Sequence, residues 1–123
     1  MGKKILLVDD DERILSVYET GLKTAGYEVT TAKDAATATA SISSNKYDLI
    51  LLDEMLPDKS GNEILKQLKA NEATKGMTVA ILSNFGHEDI VKEALNLGAV
   101  DYILKYQASA DDLVTKVKGI VGE

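Results

Sequence analysis

Asp48-Leu49-Ile50-Leu51-Leu52-Asp53-Glu54-Met55-Leu56-Pro57 decides how the chain is read. Leu49-Ile50-Leu51-Leu52 is an unbroken apolar run, the pattern of a short strand covered on both faces. The run stops at Asp53, and Pro57 rules out continuation of a central strand. A buried strand therefore delivers a carboxylate to its C-terminal end and the chain turns away. In open α/β sheets, ligands bind in the crevice beyond the carboxyl ends of the strands. Asp53 stands where chemistry would be, although an aspartate at such a point equally serves to cap the turn that follows.

Upstream the pattern repeats. Ile5-Leu6-Leu7-Val8 is a second apolar run and ends in Asp9-Asp10-Asp11. Residues 12–25 carry Ile14, Leu15, Tyr18, Leu22 and Ala25 at helical spacing, with Asp11 or Asp10 as cap and Gly26 as stop. One aspartate suffices for a cap, so three in a row exceed what capping requires. Residues 27–32 read as a strand through Val29 and two threonines. Asp34 caps a weak helix over 35–44, whose thin apolar face is Ala35, Ala38 and Ile42.

Downstream, residues 54–59 form a loop, and Ser60 or Gly61 opens a helix to Asn71 that buries Ile64, Leu65 and Leu68. Residues 77–82 are another apolar strand, ending in Ser83-Asn84, and Gly86 breaks the loop after it. A helix over 88–97 turns Ile90, Val91, Ala94 and Leu95 inward and stops at Gly98. Asp101-Tyr102-Ile103-Leu104 is a short last strand ending in Lys105. A helix over 111–121 closes the chain with Leu113, Val114, Val117 and Ile120 toward the core. Strand and helix alternate strictly, as βαβ units require, so the strands are parallel with right-handed crossovers. The expectation is a single three-layer α/β/α domain over residues 1–123.

Composition narrows the chemistry. The chain has 123 residues, enough for one domain with a real core. It holds no cysteine and one histidine, His87, so thiolate and His-rich metal sites are excluded and His87 reads as an exposed loop residue. A net charge of −6 without a dense basic cluster argues against direct nucleic-acid binding. No apolar run is long enough to span a membrane. Residues 1–5 lead straight into a strand without a small-residue cleavage site, which argues against a signal peptide and for a cytoplasmic location. Position 6 is Leu6 rather than the Ser or Thr of a myristoylation motif, and Val121-Gly122-Glu123 gives no sign of an appended output domain.

Polar residues stand at the same edge of several buried strands: Asp9 and Asp10 after the first, Asp53 at the third, Ser83 at the fourth, Lys105 at the fifth. That convergence is harder to explain by turn chemistry than any single member. Clustered carboxylates repel, by about 4 kcal/mol for two charges ~4 Å apart at an effective dielectric near 20. Three of them need a cation, and an all-oxygen set suits a hard divalent ion, Mg²⁺ most naturally. A divalent ion, an ammonium and a hydroxyl around one carboxylate are the requirements of phosphoryl transfer to that carboxylate.

On these motifs the sequence resembles the receiver domains of bacterial two-component response regulators, and is similar to the stand-alone chemotaxis type. The motifs are Asp9-Asp10; Asp53 with Met55, Pro57 and Gly61; Ser83; and Asp101-Tyr102 with Lys105. The resemblance implies a flavodoxin-like five-stranded parallel sheet in the order 2-1-3-4-5 with helices on both faces. It implies Asp53 as phosphoacceptor, with Mg²⁺ held by Asp10, Asp53 and the backbone carbonyl of Met55, and by Asp9 through water. Lys105 and Ser83 would contact the phosphoryl group. Ser83 and Tyr102 would act as the switch, Ser83 moving toward the phosphoryl group and Tyr102 swinging inward behind it. The implied donor is a histidine kinase or a histidine phosphotransfer protein. The implied output face is the 88–97 helix, the last strand and the 111–121 helix, with a homodimer possible through it.

Two positions depart from the family. Tyr106 follows Lys105 where the family usually has a proline, often after a cis bond. A cis bond before a non-proline costs ~2.5–4 kcal/mol, so a trans peptide is expected there. Asn84 stands where a small residue is usual, placed to narrow access to Asp53 or to bond the phosphoryl group. Met55 and Phe85 are apolar at positions that flank the acyl phosphate in this family, and apolar side chains do not orient a hydrolytic water. Slow self-dephosphorylation is therefore expected. The competing readings are weaker. An interaction module of the same fold that is never phosphorylated need not keep Asp9, Asp10, Asp53, Ser83 and Lys105. An aspartate-based phosphatase wants an acid/base where Met55 stands. A flavin module wants a phosphate loop where Asp9-Asp10-Asp11 would repel phosphate.

Overall fold

The computed structural model describes residues 2–122, with the backbone but not the side chain of Tyr106. The readings of the two chain ends rest in part on Met1 and Glu123, which lie outside the described residues. The elements are β1 (Lys4–Val8), α1 (Glu12–Thr24), β2 (Glu28–Ala32), α2 (Ala35–Ser44), β3 (Leu49–Asp53), α3 (Gly61–Ala70), β4 (Val79–Ser83), α4 (Glu88–Asn96), β5 (Asp101–Leu104) and α5 (Ala110–Val121). A short 3₁₀ turn, Lys105–Gln107, follows β5. The strands form one parallel sheet in the order β2-β1-β3-β4-β5, as expected.

The two-residue period of a strand explains both cores. Leu6, Val8, Ile50, Leu52, Val79 and Ile81 face one side, against Ala38 and Ile42 of α2 and Ile64, Leu65 and Leu68 of α3. Ile5, Leu7, Leu49, Leu51, Ala80 and Leu82 face the other, against Leu15, Tyr18 and Leu22 of α1 and Leu113 and Val117 of α5. Every residue of β3 and β4 is buried, which is why those segments read as continuous apolar runs. Each fully buried Leu contributes roughly 1.5–3 kcal/mol relative to exposure.

Local chemistry sets the boundaries. Asp11, not Asp10, caps α1: its Oδ1 accepts from the Arg13 and Ile14 amides at 2.9 and 3.4 Å. Gly26 then takes φ 102°. Tyr27 sends its amide back to the Leu22 carbonyl, so β2 begins one residue later than expected. β4 starts at Val79 rather than Met77, because the Met77 amide closes a turn on the Thr74 carbonyl, and it runs on through Ser83. Ser109 caps α5 in a reciprocal box with Asp112. No cis peptide bond occurs among the described residues, in keeping with the trans bond expected after Lys105.

The inward face expected for α4 needs correction. Ala94 is buried, Ile90 and Val91 are half-buried, and Leu95 is 47 % exposed. Successive residues on a helix point about 100° apart, so Ala94 and Leu95 cannot both face a narrow contact. The sheet takes Ala94 and leaves Leu95 to solvent.

Candidate functional site

The register of the sheet assembles the site. Val8 pairs with Leu52, which brings Asp9 beside Asp53. Asp53 pairs with Leu82, and Ser83 pairs with Leu104, which places Lys105 one step past the same edge. The loop after β3 is then drawn tightly under Asp53. The Gly61 amide donates to the Glu54 carbonyl at 2.7 Å, and a Cβ on Gly61 would lie 2.6 Å from the Asp53 carbonyl oxygen. Only glycine permits that approach. Further along, the Asp58 carboxylate accepts from the Ala35 and Ala36 amides at 2.8 and 3.0 Å and pins this loop to the start of α2. The Ala35 amide, foremost, holds the Asp58 carboxyl below its ordinary pKa.

Asp9, Asp53, Ser83 and Lys105 are all buried, while Asp10 is exposed at the rim. The Lys105 ammonium lies 2.7 Å from Asp9 Oδ2 and 3.1 Å from Asp53 Oδ2. Asp9 Oδ1 accepts the Asp11 amide at 2.9 Å, and Asp53 Oδ1 accepts the Met55 amide at 3.3 Å. Desolvation, and then the charge of Asp9, push the Asp53 carboxyl up to about 7, against the pull of Lys105 and the Met55 amide. Burial draws the Lys105 ammonium down, but Asp9 and Asp53 outweigh it and the net shift is upward.

Carboxylate oxygens of Asp9, Asp10 and Asp53 lie within 4.8 Å of one another. This all-oxygen set, on rigid strand ends and short of positive charge, fits a hard divalent cation. The pocket has a volume of about 280 Å³ and is lined by Asp10, Asp11, Asp53, Met55, Ser83, Asn84, Phe85 and Lys105. Met55 is 64 % exposed at its mouth. Ser83 Oγ accepts the Phe85 amide at 3.1 Å and keeps its own proton to donate. Tyr102, half-buried, donates to the Phe85 carbonyl at 3.1 Å and so ties β5 to the loop after β4. Burial raises the Tyr102 hydroxyl above its ordinary pKa, opposed chiefly by Ser83. His87 is exposed, as expected, and its ring is tilted 42° to that of Phe85 at 5.5 Å.

Sequence reading missed a second polar group behind this pocket. Glu54, assigned only to a loop, is 5 % exposed, and Asn62 on α3 is buried beside it. The Asn62 amide N–H donates to Glu54 Oε1 at 3.4 Å, and its side-chain Nδ2 donates to Glu93 Oε1 on α4 at 2.7 Å. Desolvation holds the Glu54 carboxyl above its ordinary pKa. A signal was present in the sequence. Asn62 lies three residues before Leu65, on the edge of the apolar face of α3 where a hydrophobic residue would be ordinary.

Known proteins resemble this chain in sequence and in fold. The sequence model of the response regulator receiver domain matches residues 5–118. The chain is 40 % identical over 121 residues to the phosphate regulon transcriptional regulatory protein PhoB of Pseudomonas aeruginosa, covering 98 % of this chain and 52 % of that protein. It is 36 % identical to the alkaline phosphatase synthesis transcriptional regulatory protein PhoP of Bacillus subtilis, covering 98 % and 49 %. The chain thus spans about half the length of the curated relatives it matches. Among solved structures it superposes on a CheY-like receiver domain protein of Methanospirillum hungatei with a TM-score of 0.91 at 33 % identity, covering 99 % of this chain and 95 % of that one. The expected likeness to chemotaxis regulators holds in fold: for CheY4 of Vibrio cholerae the TM-score is 0.90 at 26 % identity, over 98 % and 99 % of the two chains. With family model, relatives and fold in agreement over nearly its whole length, the chain belongs to the response regulator receiver domain family.

Proposed function

We propose that the chain is a phosphorylatable two-component receiver in which Asp53 accepts a phosphoryl group from a histidine kinase or a histidine phosphotransfer protein in the cytoplasm. The observation that carries this reading is the Lys105 ammonium 3.1 Å from Asp53 in an open pocket that Asp10 also lines, with Asp9 buried beside it. Asp53 Oδ attacks phosphorus, the phosphorus–nitrogen bond of the donor breaks, and the histidine ring keeps the electron pair. Lys105 and the Ser83 hydroxyl are positioned for the phosphoryl oxygens. Asp10, Asp53 and the Met55 carbonyl would hold Mg²⁺, with Asp9 contributing through water. When bound, the cation neutralises charge on the transferring group. Ser83 and Tyr102 carry the change to the face formed by α4, β5 and α5, where a downstream protein or a second copy would bind. For these 123 residues, at net charge −6, no nucleic-acid contact is proposed.

Incubation with acetyl phosphate tests this directly. In the intact-protein mass the parent gains one phosphoryl group only with Mg²⁺, and Asp53→Asn gains none. Absence of an adduct in the parent, with Mg²⁺ binding confirmed, would leave a receiver-like interaction module instead. The adduct should also be long-lived. Met55 is exposed at the mouth and Phe85 lines the wall, so neither orients a water in line with phosphorus. Replacing both with Asn or Glu should speed hydrolysis by about tenfold or more, short of the roughly 10²–10⁴-fold of a fully positioned general base. An unchanged adduct half-life would overturn the lifetime argument, and a shorter one on opening position 84 with Asn84→Ala would assign the barrier to access.

A further inference from the structure

The polar group behind the pocket joins two parts of the molecule. Glu54 directly follows Asp53, its amide donates to the Leu82 carbonyl at 2.8 Å, and its carbonyl holds Gly61. Its carboxylate Oε1 accepts the Asn62 amide. The Asn62 side chain then crosses from α3 to α4, donating to Glu93 Oε1 at 2.7 Å and to the Ile90 carbonyl at 3.4 Å. Both groups facing Nδ2 are acceptors, which fixes the orientation of the amide.

Helix α4 is otherwise lightly held. Ala94 is its one buried residue, whereas α1, α2 and α3 each bury three or more. Side chains of Asp11, Asp34, Ser60 and Ser109 cap the other helices, but His87 makes no side-chain cap bond to α4. Two acceptor atoms of the same buried group, Glu54 Oε2 and Asn62 Oδ1, have no protein partner among the described residues. A partly satisfied buried network costs desolvation that a second arrangement of its members relieves. A lightly packed helix attached to such a network is the kind of element that has two discrete positions.

We propose that Asn62 is a positioning residue, a buried amide clasp that fixes α4 to the strand end carrying Asp53 through Glu54 on one side and Glu93 and Ile90 on the other. The clasp sets the position of α4 and passes a change at Asp53 to it. The second of these rests on Asp53 being the phosphoacceptor. The bonds to α4 are made by the Asn62 side-chain amide and the bond to Glu54 by its backbone N–H, so apolar packing of α4 is not what carries the coupling.

Amide hydrogen exchange of the whole chain, with α1 and α5 as internal references, tests the clasp without phosphorylation. Asn62→Ala and Glu93→Ala should each accelerate exchange across α4 by about fivefold or more while the reference helices change little. The double variant should be no faster than Asn62→Ala alone, because Glu93→Ala removes a bond that Asn62→Ala has already removed. Glu93→Gln, which keeps an acceptor, should restore slow exchange. Glu93 is exposed, so its variants fold even if Asn62→Ala does not. Unchanged α4 rates in Glu93→Ala, or additive effects in the double variant, would overturn the clasp. In the second arm, acetyl phosphate and Mg²⁺ should alter α4 exchange in the parent, and Glu93→Ala should lose that response while still forming the adduct. A full response in Glu93→Ala would overturn the coupling. Failure of the parent to form an adduct would instead strike the phosphoacceptor reading and its route from Asp53, with the α4 rates still deciding the clasp.

Discussion

Lys105→Met melts far below the parent at pH 8 in metal-free buffer. The substitution nearly conserves volume but leaves Asp9 and Asp53 facing each other, both buried, without the ammonium 2.7 and 3.1 Å away. Removing one partner of a buried ion pair costs about 3–5 kcal/mol. At roughly 4 °C per kcal/mol for a domain of this size, the melting temperature falls by more than about 10 °C. The loss shrinks toward pH 5. Lys105 stays charged over this range, because its pKa is raised overall, so the pH dependence belongs to the carboxylates. Asp53 already titrates near 7, and without its counter-charge it rises further, so a proton takes the place of the ammonium. A variant melting within about 2 °C of the parent, the range of ordinary surface changes, would show that the pair is not desolvated in solution.

The same variant separates two roles of Lys105. With a positive charge removed from the acid cluster, divalent cations bind more tightly, and added Mg²⁺ raises the melting temperature of the variant more than that of the parent. Phosphorylation by acetyl phosphate slows nonetheless, by about 10²–10³, the range for losing one donor to a developing oxyanion. Tighter metal with slower transfer assigns Lys105 to the phosphoryl group. Slower transfer with weaker metal would mean that Lys105 acts by holding the carboxylates in place.

Both strands that deliver Asp9 and Asp53 were legible because burial on two faces writes itself as a continuous apolar run. The residues that terminate such runs are then conspicuous, and Ser83 followed from the same logic at β4, while Lys105 was read from its place at the end of the short, half-buried strand β5. Glu54 and Asn62 were not legible in this way. A charged residue one place past a strand reads as solvent-facing, and its burial here depends on α3 and α4 closing over it, a tertiary fact. Leu95 failed for the opposite reason. Its apolar side chain fits the helical period of α4, but the period does not say how much of an apolar stripe a neighbouring element covers. Asp58 shows a third limit: its carboxylate serves the start of α2, more than twenty residues earlier in the chain, and no local pattern announces that.

Asp53→Asn should stabilise the metal-free protein at pH 8, and the advantage should disappear toward pH 4. Asp53 titrates near 7 in the fold, against about 3.9 for an unperturbed aspartate. The folded state therefore binds its proton more tightly than the unfolded state. Between about pH 4 and 7 the stability of the parent falls as pH rises, and above 7 the whole penalty is present. The amide carries no charge and escapes it. The charges of Asp9 and Lys105 both act on Asp53, so the penalty belongs to the group and is on the order of 2–4 kcal/mol. Saturating Mg²⁺ should narrow the gap. The parent gains about 2.7 kcal/mol at a hundredfold excess over the dissociation constant, and the amide variant, with one carboxylate fewer, gains less. Melts at pH 4 and 8, each with EDTA or Mg²⁺, give four comparisons. If Asp53→Asn is less stable than the parent at pH 8 in EDTA, Asp53 is held by its bonds to Lys105 and Met55 more strongly than burial and Asp9 oppose it. If it is more stable, the carboxylate is kept at a cost to the fold that a bound cation or a transferred phosphoryl group offsets, as a site retained for reactivity rather than stability requires.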